Sequence, residues 1–210
     1  MNRIVIVGGG GHAKVVISIL KKLNDYEIAG YVDPVDRGSI LGARHLGGDD
    51  VLPRLFGAHR VTNAVLGIGQ LETATLRRAL NLTVSSMGFA FPAVISPCAV
   101  VNEGVCIGEG TVVMDGAVVN VGTRIGAQCI LNTRSSVDHD CEIGEFVHIC
   151  PGATLSGGVR VGSGSLIGAG ATVIQRTTIG DACLIGAGAV VVTDCPGNGR
   201  YVGVPARPAR

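Results

Sequence analysis

The chain is nearly without rings. Tryptophan is absent, and aromatic residues make up only 3% of its 210 residues. Aromatic packing cannot fill such a core, so aliphatic side chains must, and hydrophobic residues reach 47%. An excess charge of either sign is missing too: Lys and Arg number 17 against 16 Asp and Glu, leaving +1. With no basic run, that balance predicts no electrostatic footprint for nucleic acid. The opening apolar stretch, residues 4–7, is far too short for a signal peptide or a membrane span. A cytoplasmic protein without membrane insertion is predicted. The seven cysteines show no CxxC spacing. An odd count without a secretion signal fits a reducing compartment, with structural or incidental thiols rather than disulfides or a metal site.

What the chain has is glycine, 33 residues of it, and a beat. From Ile95 to Val191 every sixth residue is aliphatic, as in Val119, Ile125, Leu131, Val137, Ile143 and Ile149. From Val101 onward a small or slim residue stands two places ahead of each, including Cys129, Cys141 and Cys183. One bulky and one slim inward position per six residues is the hexapeptide signature of a parallel β-helix. Aliphatic-glycine pairs recur every 18 residues, at Gly108, Gly126, Gly144, Gly162 and Gly180, so three hexapeptides make one triangular coil. Residues 18 apart then stack at strand spacing, and five to six coils span roughly 27 Å. The paired glycines are expected at corners that need a positive φ.

The first 88 residues follow another pattern. Strands are expected over 3–7, 26–32 and 63–68, and helices over 13–23, 51–56 and 71–80. Alternating strands and helices predict a small parallel sheet covered by helices, half of a dinucleotide-binding fold. The expected organisation is an α/β half-Rossmann-like domain (1–88), a parallel β-helix (89–197) and a C-terminal tail (198–210). The loop Gly8-Gly9-Gly10-Gly11-His12-Ala13 satisfies the dinucleotide template weakly, since four glycines fit many templates. One βαβ half has room for one nucleotide, so a nucleotide-bearing ligand is favoured over NAD, with a structural glycine turn as the alternative. The helix start after Gly11 suits an anion.

The repeat also sorts the histidines. His45 and His59 fall in polar loops and read as surface residues, whereas His12 ends the glycine loop, where a ligand approaches. His139 follows the inward Val137 by two and lies at a corner between Asp138 and Asp140. Two carboxylates would favour its imidazolium and make it a better base; Asp-His-Asp is equally good turn chemistry. Gly157 is 18 residues on and stacks over His139, where its amide could serve an oxyanion. His148, nine residues away, is half a coil round. The two imidazoles would meet only across a subunit boundary.

These residues carry a resemblance. Residues 4–16 (IVIVGGGGHAKVV), 131–144 (LNTRSSVDHDCEIG) and 201–207 (YVGVPAR) together resemble the bacterial left-handed β-helix acyltransferases. The nearest likeness is to nucleotide-sugar N-acetyltransferases of the bacillosamine and perosamine pathways, with sialic acid O-acetyltransferases as relatives. The resemblance implies the left hand of the helix and acetyl transfer from acetyl-CoA to a UDP- or GDP-linked 4-amino sugar. It also implies a homotrimer with active sites between subunits. By it, His139 is the base and Asp140 the acid that raises its basicity. Asn132 and His148 match active-site positions, the Gly157 amide faces the acyl carbonyl, and Ala169 and Ala187 touch the pantetheine arm through their backbone. Gly10, Gly11, His12, Asp33 and Gly69 match positions that hold the nucleotide sugar. Where many relatives carry a histidine before the first coil, this chain has Phe91-Pro92-Ala93. The unbroken beat leaves no projecting acceptor loop, so the N-terminal domain is expected to hold the acceptor. O-acetylation of a sialic-acid-like sugar is the near rival. A γ-type carbonic anhydrase would need three histidine ligands, and the coils hold two; a non-catalytic scaffold would need neither glycine loop nor His139.

Overall fold

Residues 4–7, Ile-Val-Ile-Val, have no exposed side: each is at most 1% accessible. A strand buried on both faces belongs at the centre of a parallel sheet, and in the computed structural model, which describes residues 2–58 and 60–209, β1 (Asn2–Val7) lies between β2 (Tyr26–Val32) and β3 (Asn63–Leu66), parallel to both. Helix α1 (Gly11–Leu23) buries Ala13, Val16, Ile17, Ile19 and Leu20, the spacing of one helical face. A second cluster joins Val5, Val7, Leu52, Leu55, Leu66 and Val84, drawing on α2 (Leu52–Gly57) and α3 (Thr75–Ser86). These elements, up to Gly69 and again over Thr75–Pro97, form one unit.

Two expectations for this unit need correction. The third helix starts at Thr75, not near residue 71, because Gln70–Ala74 belong to the other unit and Leu71 is 90% exposed. His45 is no loose surface residue: its Nε2 donates to the Asp33 carbonyl at 2.8 Å, and its ring lies 5.2 Å from that of Tyr31. His59 lies outside the described residues.

The second unit, Gln70–Ala74 and the chain from Cys98 onward, is a parallel β-solenoid of two-residue strands. Pairing is in register at 18-residue steps, as in Ser136 with Thr154 and Val137 with Leu155. Three faces result. One carries Ile130–Leu131, His148–Ile149 and Leu166–Ile167. The next carries Val118–Val119, Ser136–Val137, Thr154–Leu155 and Thr172–Val173. The third carries Arg124–Ile125, Glu142–Ile143 and Arg160–Val161. The second residue of each pair fills the prism: Val137, Ile149, Leu155, Ile167 and Val173 are all 0% accessible. Only the first coil is open, with Val101 at 37%.

The slim positions are also closed, with Cys129 and Cys141 at 0% and Cys183 at 1%. Their thiols donate to corner carbonyls, Cys129 Sγ to Gly144 O at 3.0 Å and Cys183 Sγ to Pro196 O at 3.2 Å, as Thr111 and Ser165 hydroxyls do elsewhere. Their role is structural. The paired glycines are not where φ turns positive. A Cβ on Gly126 would stand 2.7 Å from the Gly144 backbone carbon. Close approach of successive coils is what requires them. Positive φ falls instead on every sixth residue from Gly104 to Gly188. Among the described residues no helix is long and apolar enough to cross a membrane.

Candidate active site

Three groups of residues are assembled, two of them at corners of the solenoid. At the corner between the second and third faces, the His139 Nδ1 lies 2.8 Å from Asp140 Oδ2. A carboxylate oxygen only accepts, so Nδ1 carries a hydrogen, and in the neutral ring the lone pair is on Nε2. Nε2 faces Gly157: a Cβ there would sit 2.5 Å from it. Gly157 has no positive φ to explain it. The imidazole does. Its amide is not engaged by another backbone carbonyl among the described residues, so it stands beside the imidazole as an available donor.

Electrostatics at this corner act in one direction. The hydrogen bond to Asp140 comes first and the charge of Asp138 second in pushing the His139 imidazole above its ordinary range. Asp138, one of the two carboxylates that the sequence placed beside His139, takes the His139 amide at 2.8 Å and on the same Oδ1 the side-chain amide of Asn120, which the sequence reading did not single out, at 2.9 Å. These bonds hold its carboxyl below its ordinary value. Asn120 in turn accepts from Asn102 at 2.7 Å. The polar ladder 102, 120, 138 is an 18-residue repeat, which is the signal that could have found it.

The other corner group lies across the second face. Asn132 Nδ2 meets His148 Nε2 at 3.0 Å, and the Thr133 amide donates to Asn132 Oδ1 at 2.8 Å. Ala169 and Ala187 stack in the same corner column, the Ala169 carbonyl accepting from Gly188 N at 2.8 Å. Within one chain His139, Asp140 and Gly157 therefore stand together, while Asn132, His148, Ala169 and Ala187 occupy the opposite edge of that face.

The third group surrounds the glycine loop, in the α/β unit. Gly8 has φ +105° and Gly9 lies against Tyr31, so the fold itself requires both. Nothing lies within 4 Å of a Cβ built on Gly10 or Gly11, and neither has positive φ. The protein does not need them bare. They border a cavity of about 700 Å³ shared with Lys14, Arg37 and Ser39, a size suited to a small-molecule ligand. Asp33 braces the loop, accepting from Gly9 N at 2.8 Å and Val35 N at 2.9 Å. Burial raises its pKa, but those amides and Arg37 outweigh burial and the net shift is downward. His12 lies in the first turn of α1, with its Cβ 3.9 Å from one built on Gly69. Lys14 and Arg37 escaped the sequence reading; Lys14 lies one helical turn beyond Gly10 and Gly11 in α1, and Arg37 sits 3.8 Å from the Asp33 carboxylate. No three described His, Cys, Asp or Glu side chains are grouped as metal ligands would be.

An imidazole against a bare glycine at the corner of a hexapeptide solenoid points to a class, the hexapeptide acyltransferases. Residues 158–193 match the model of the bacterial transferase hexapeptide (six repeats), and residues 3–77 match that of the PglD N-terminal domain. A point variant of perosamine N-acetyltransferase from Caulobacter crescentus, solved with CoA and GDP-perosamine, superposes with a TM-score of 0.95 at 38% identity, covering 100% of this chain and 98% of that one. The acetyltransferase domain of PglB from Neisseria gonorrhoeae gives 0.93 at 37%, covering all of both chains. GDP-perosamine N-acetyltransferase of Escherichia coli is 28% identical over 177 residues, 80% of this chain and 76% of that protein. The chain belongs to the left-handed β-helix acyltransferases related to the perosamine and bacillosamine N-acetyltransferases.

Proposed function

We propose that the protein transfers the acetyl group of acetyl-CoA to the primary amine of a GDP-linked 4-amino sugar. The observation that carries this is the placing of His139 Nε2 against Gly157 by a ring whose Nδ1 is bonded to Asp140. In this reading the sugar amine attacks the thioester carbonyl and gives its proton to Nε2. The carbonyl oxygen becomes an oxyanion beside the Gly157 amide, the intermediate collapses with cleavage of the C–S bond, and CoA leaves as the thiol, taking the proton held on Nε2. Asn132 and His148 lie near the thioester, and Ala169 and Ala187 take the pantetheine arm along their corner. The perosamine enzyme's complex with CoA and GDP-perosamine supports both substrate classes.

Residues 1–88 then carry the nucleotide sugar, 89–197 acyl transfer and 198–210 the tail. Gly10 and Gly11 let the nucleotide's phosphates approach the start of α1, with Lys14 and Arg37 supplying charge to the same cavity; His12, Asp33 and Gly69 complete that site. Face composition supports a homotrimer. The outward positions Val118, Ser136, Thr154 and Thr172 are small and uncharged, whereas the third face presents Arg124, Glu142 and Arg160. Packing three uncharged faces about an axis would bring His139 of one subunit towards His148 of the next. The reaction belongs in the cytoplasm, where acetyl-CoA and nucleotide sugars are made for glycan synthesis.

Thiol release from acetyl-CoA, measured against UDP- and GDP-linked 4-amino sugars, tests this. Release with a GDP-amino sugar is expected, and His139→Ala should lower turnover at least about tenfold, since general bases commonly contribute ~10² to 10⁴. Release only with a free sialic acid would replace N- by O-acetylation. Near-normal turnover of His139→Ala would remove His139 as the base.

A further inference from the structure

Gln70 follows Gly69, the last residue of the first α/β segment, yet packs with the solenoid. It is only 3% accessible and is fastened at two points. Its side-chain Nε2 donates to Gly164 O at 3.1 Å, and its main-chain carbonyl lies 2.9 Å from His148 Nδ1. A carbonyl only accepts, so His148 Nδ1 carries a hydrogen. On the other side of the ring the Thr133 amide fixes Asn132 with Oδ1 towards itself, which turns Nδ2 towards His148 Nε2. An amide nitrogen only donates, so Nε2 must be a lone pair. The two bonds together leave one state, neutral imidazole with its hydrogen on Nδ1.

We infer that Gln70 is a positioning residue, whose side-chain anchor to Gly164 holds its own carbonyl where it locks His148 in that tautomer. The order of dependence runs from Gly164 through Gln70 to His148 and Asn132. With the lone pair already given to Asn132, His148 serves as a rigid polar edge, and the proton-accepting role stays with His139. The kinetic consequence rests on the acetyltransferase reading; the tautomer does not.

Two-bond proton–nitrogen correlations of ¹⁵N-histidine-labelled protein at alkaline pH, with His148 assigned from a His148→Gln variant, read the tautomer directly. The native protein should show His148 as a single Nδ1–H form. Gln70→Glu keeps the shape, removes the donor and sets a carboxylate against the Gly164 carbonyl. His148 should then exchange between tautomers. The kcat should fall about tenfold, as when the partner orienting a functional imidazole is lost, with KM for the nucleotide sugar within about twofold. Gln70→Met serves if the Glu variant fails to fold. A pure Nδ1–H form retained in a folded variant, or an unchanged kcat in one whose tautomer is released, overturns the inference. If the native protein releases no thiol with any amino sugar, the functional reading fails and the tautomer measurement still decides the role of Gln70.

Discussion

Asp140 sits where the fold asks for glycine. Every sixth residue from Gly104 to Gly188 has positive φ; nine are glycine, and the others are Gln128, Arg134, Asp140, Phe146, Arg176 and Ala182. Four of those six are consecutive repeats, 128 to 146, the stretch that carries His139. A side chain in the left-handed region costs about 1 kcal/mol, somewhat less for Asp, and at position 140 the proposed mechanism gives that side chain a use, its bond to His139. Asp140→Gly should therefore raise the melting temperature slightly and lower kcat. A pH profile gives the sign. In the proposed mechanism His139 acts unprotonated, and Asp140 pushes its pKa up, so kcat/KM should climb with pH through a value above that of an ordinary imidazole. In Asp140→Gly that limb should move to lower pH, with Asp138 still holding part of the shift. A limb that stays in place would show that Asp140 does not tune the base.

At the scale of the element, two kinds of glycine behave differently. Gly126 has an ordinary φ but lies against the next coil's backbone, whereas Gly152 has φ +67° and nothing within 4 Å of its Cβ. Gly152→Ala should cost about 1 kcal/mol for the strained turn. Gly126→Ala has to push coils apart and should cost about 1–3 kcal/mol or more, as overpacking does. Denaturant melts of the two variants compare them, and equal losses would contradict the close-approach account. The 18-residue beat was legible because stacking imposes it on every coil. The reason for its glycines was not, because a one-letter sequence shows where glycine recurs but not whether φ or a neighbouring backbone demands it. Helix α3 was displaced for a similar reason. Gln70–Ala74 are held by contacts with the solenoid, such as Gln70 to Gly164, that no local pattern announces.

For the whole molecule, the separation of the two corner groups within one chain makes a complementation test decisive. If the proposed homotrimer shares its sites, His139→Ala and His148→Ala proteins should each be impaired. Co-expressed in equal amounts, random assortment in a cyclic trimer gives about a quarter of the sites an intact His139 from one subunit and an intact His148 from its neighbour. Activity should recover to that extent, and mixtures no better than the parents would mean that sites are not shared. The sequence placed His139 and His148 half a coil apart, which already kept them from meeting. It could not say which face lies between them, nor that this face is free of charge at residues 118, 136, 154 and 172.

The sequence by itself determined the solenoid, its three-sided coil, the core thiols and the stacking of Gly157 on His139, because each follows from a fixed period that translates residue number into height and direction. It also marked the glycine loop, since backbone freedom is written in residue type. Only the tertiary structure decided which glycines border an open cavity, that His139 Nδ1 is turned to Asp140, and that Gln70 fastens His148. Those depend on partners far apart in the chain, Gln70 and His148 being 78 residues apart, and a hydrogen bond between them has no period to betray it.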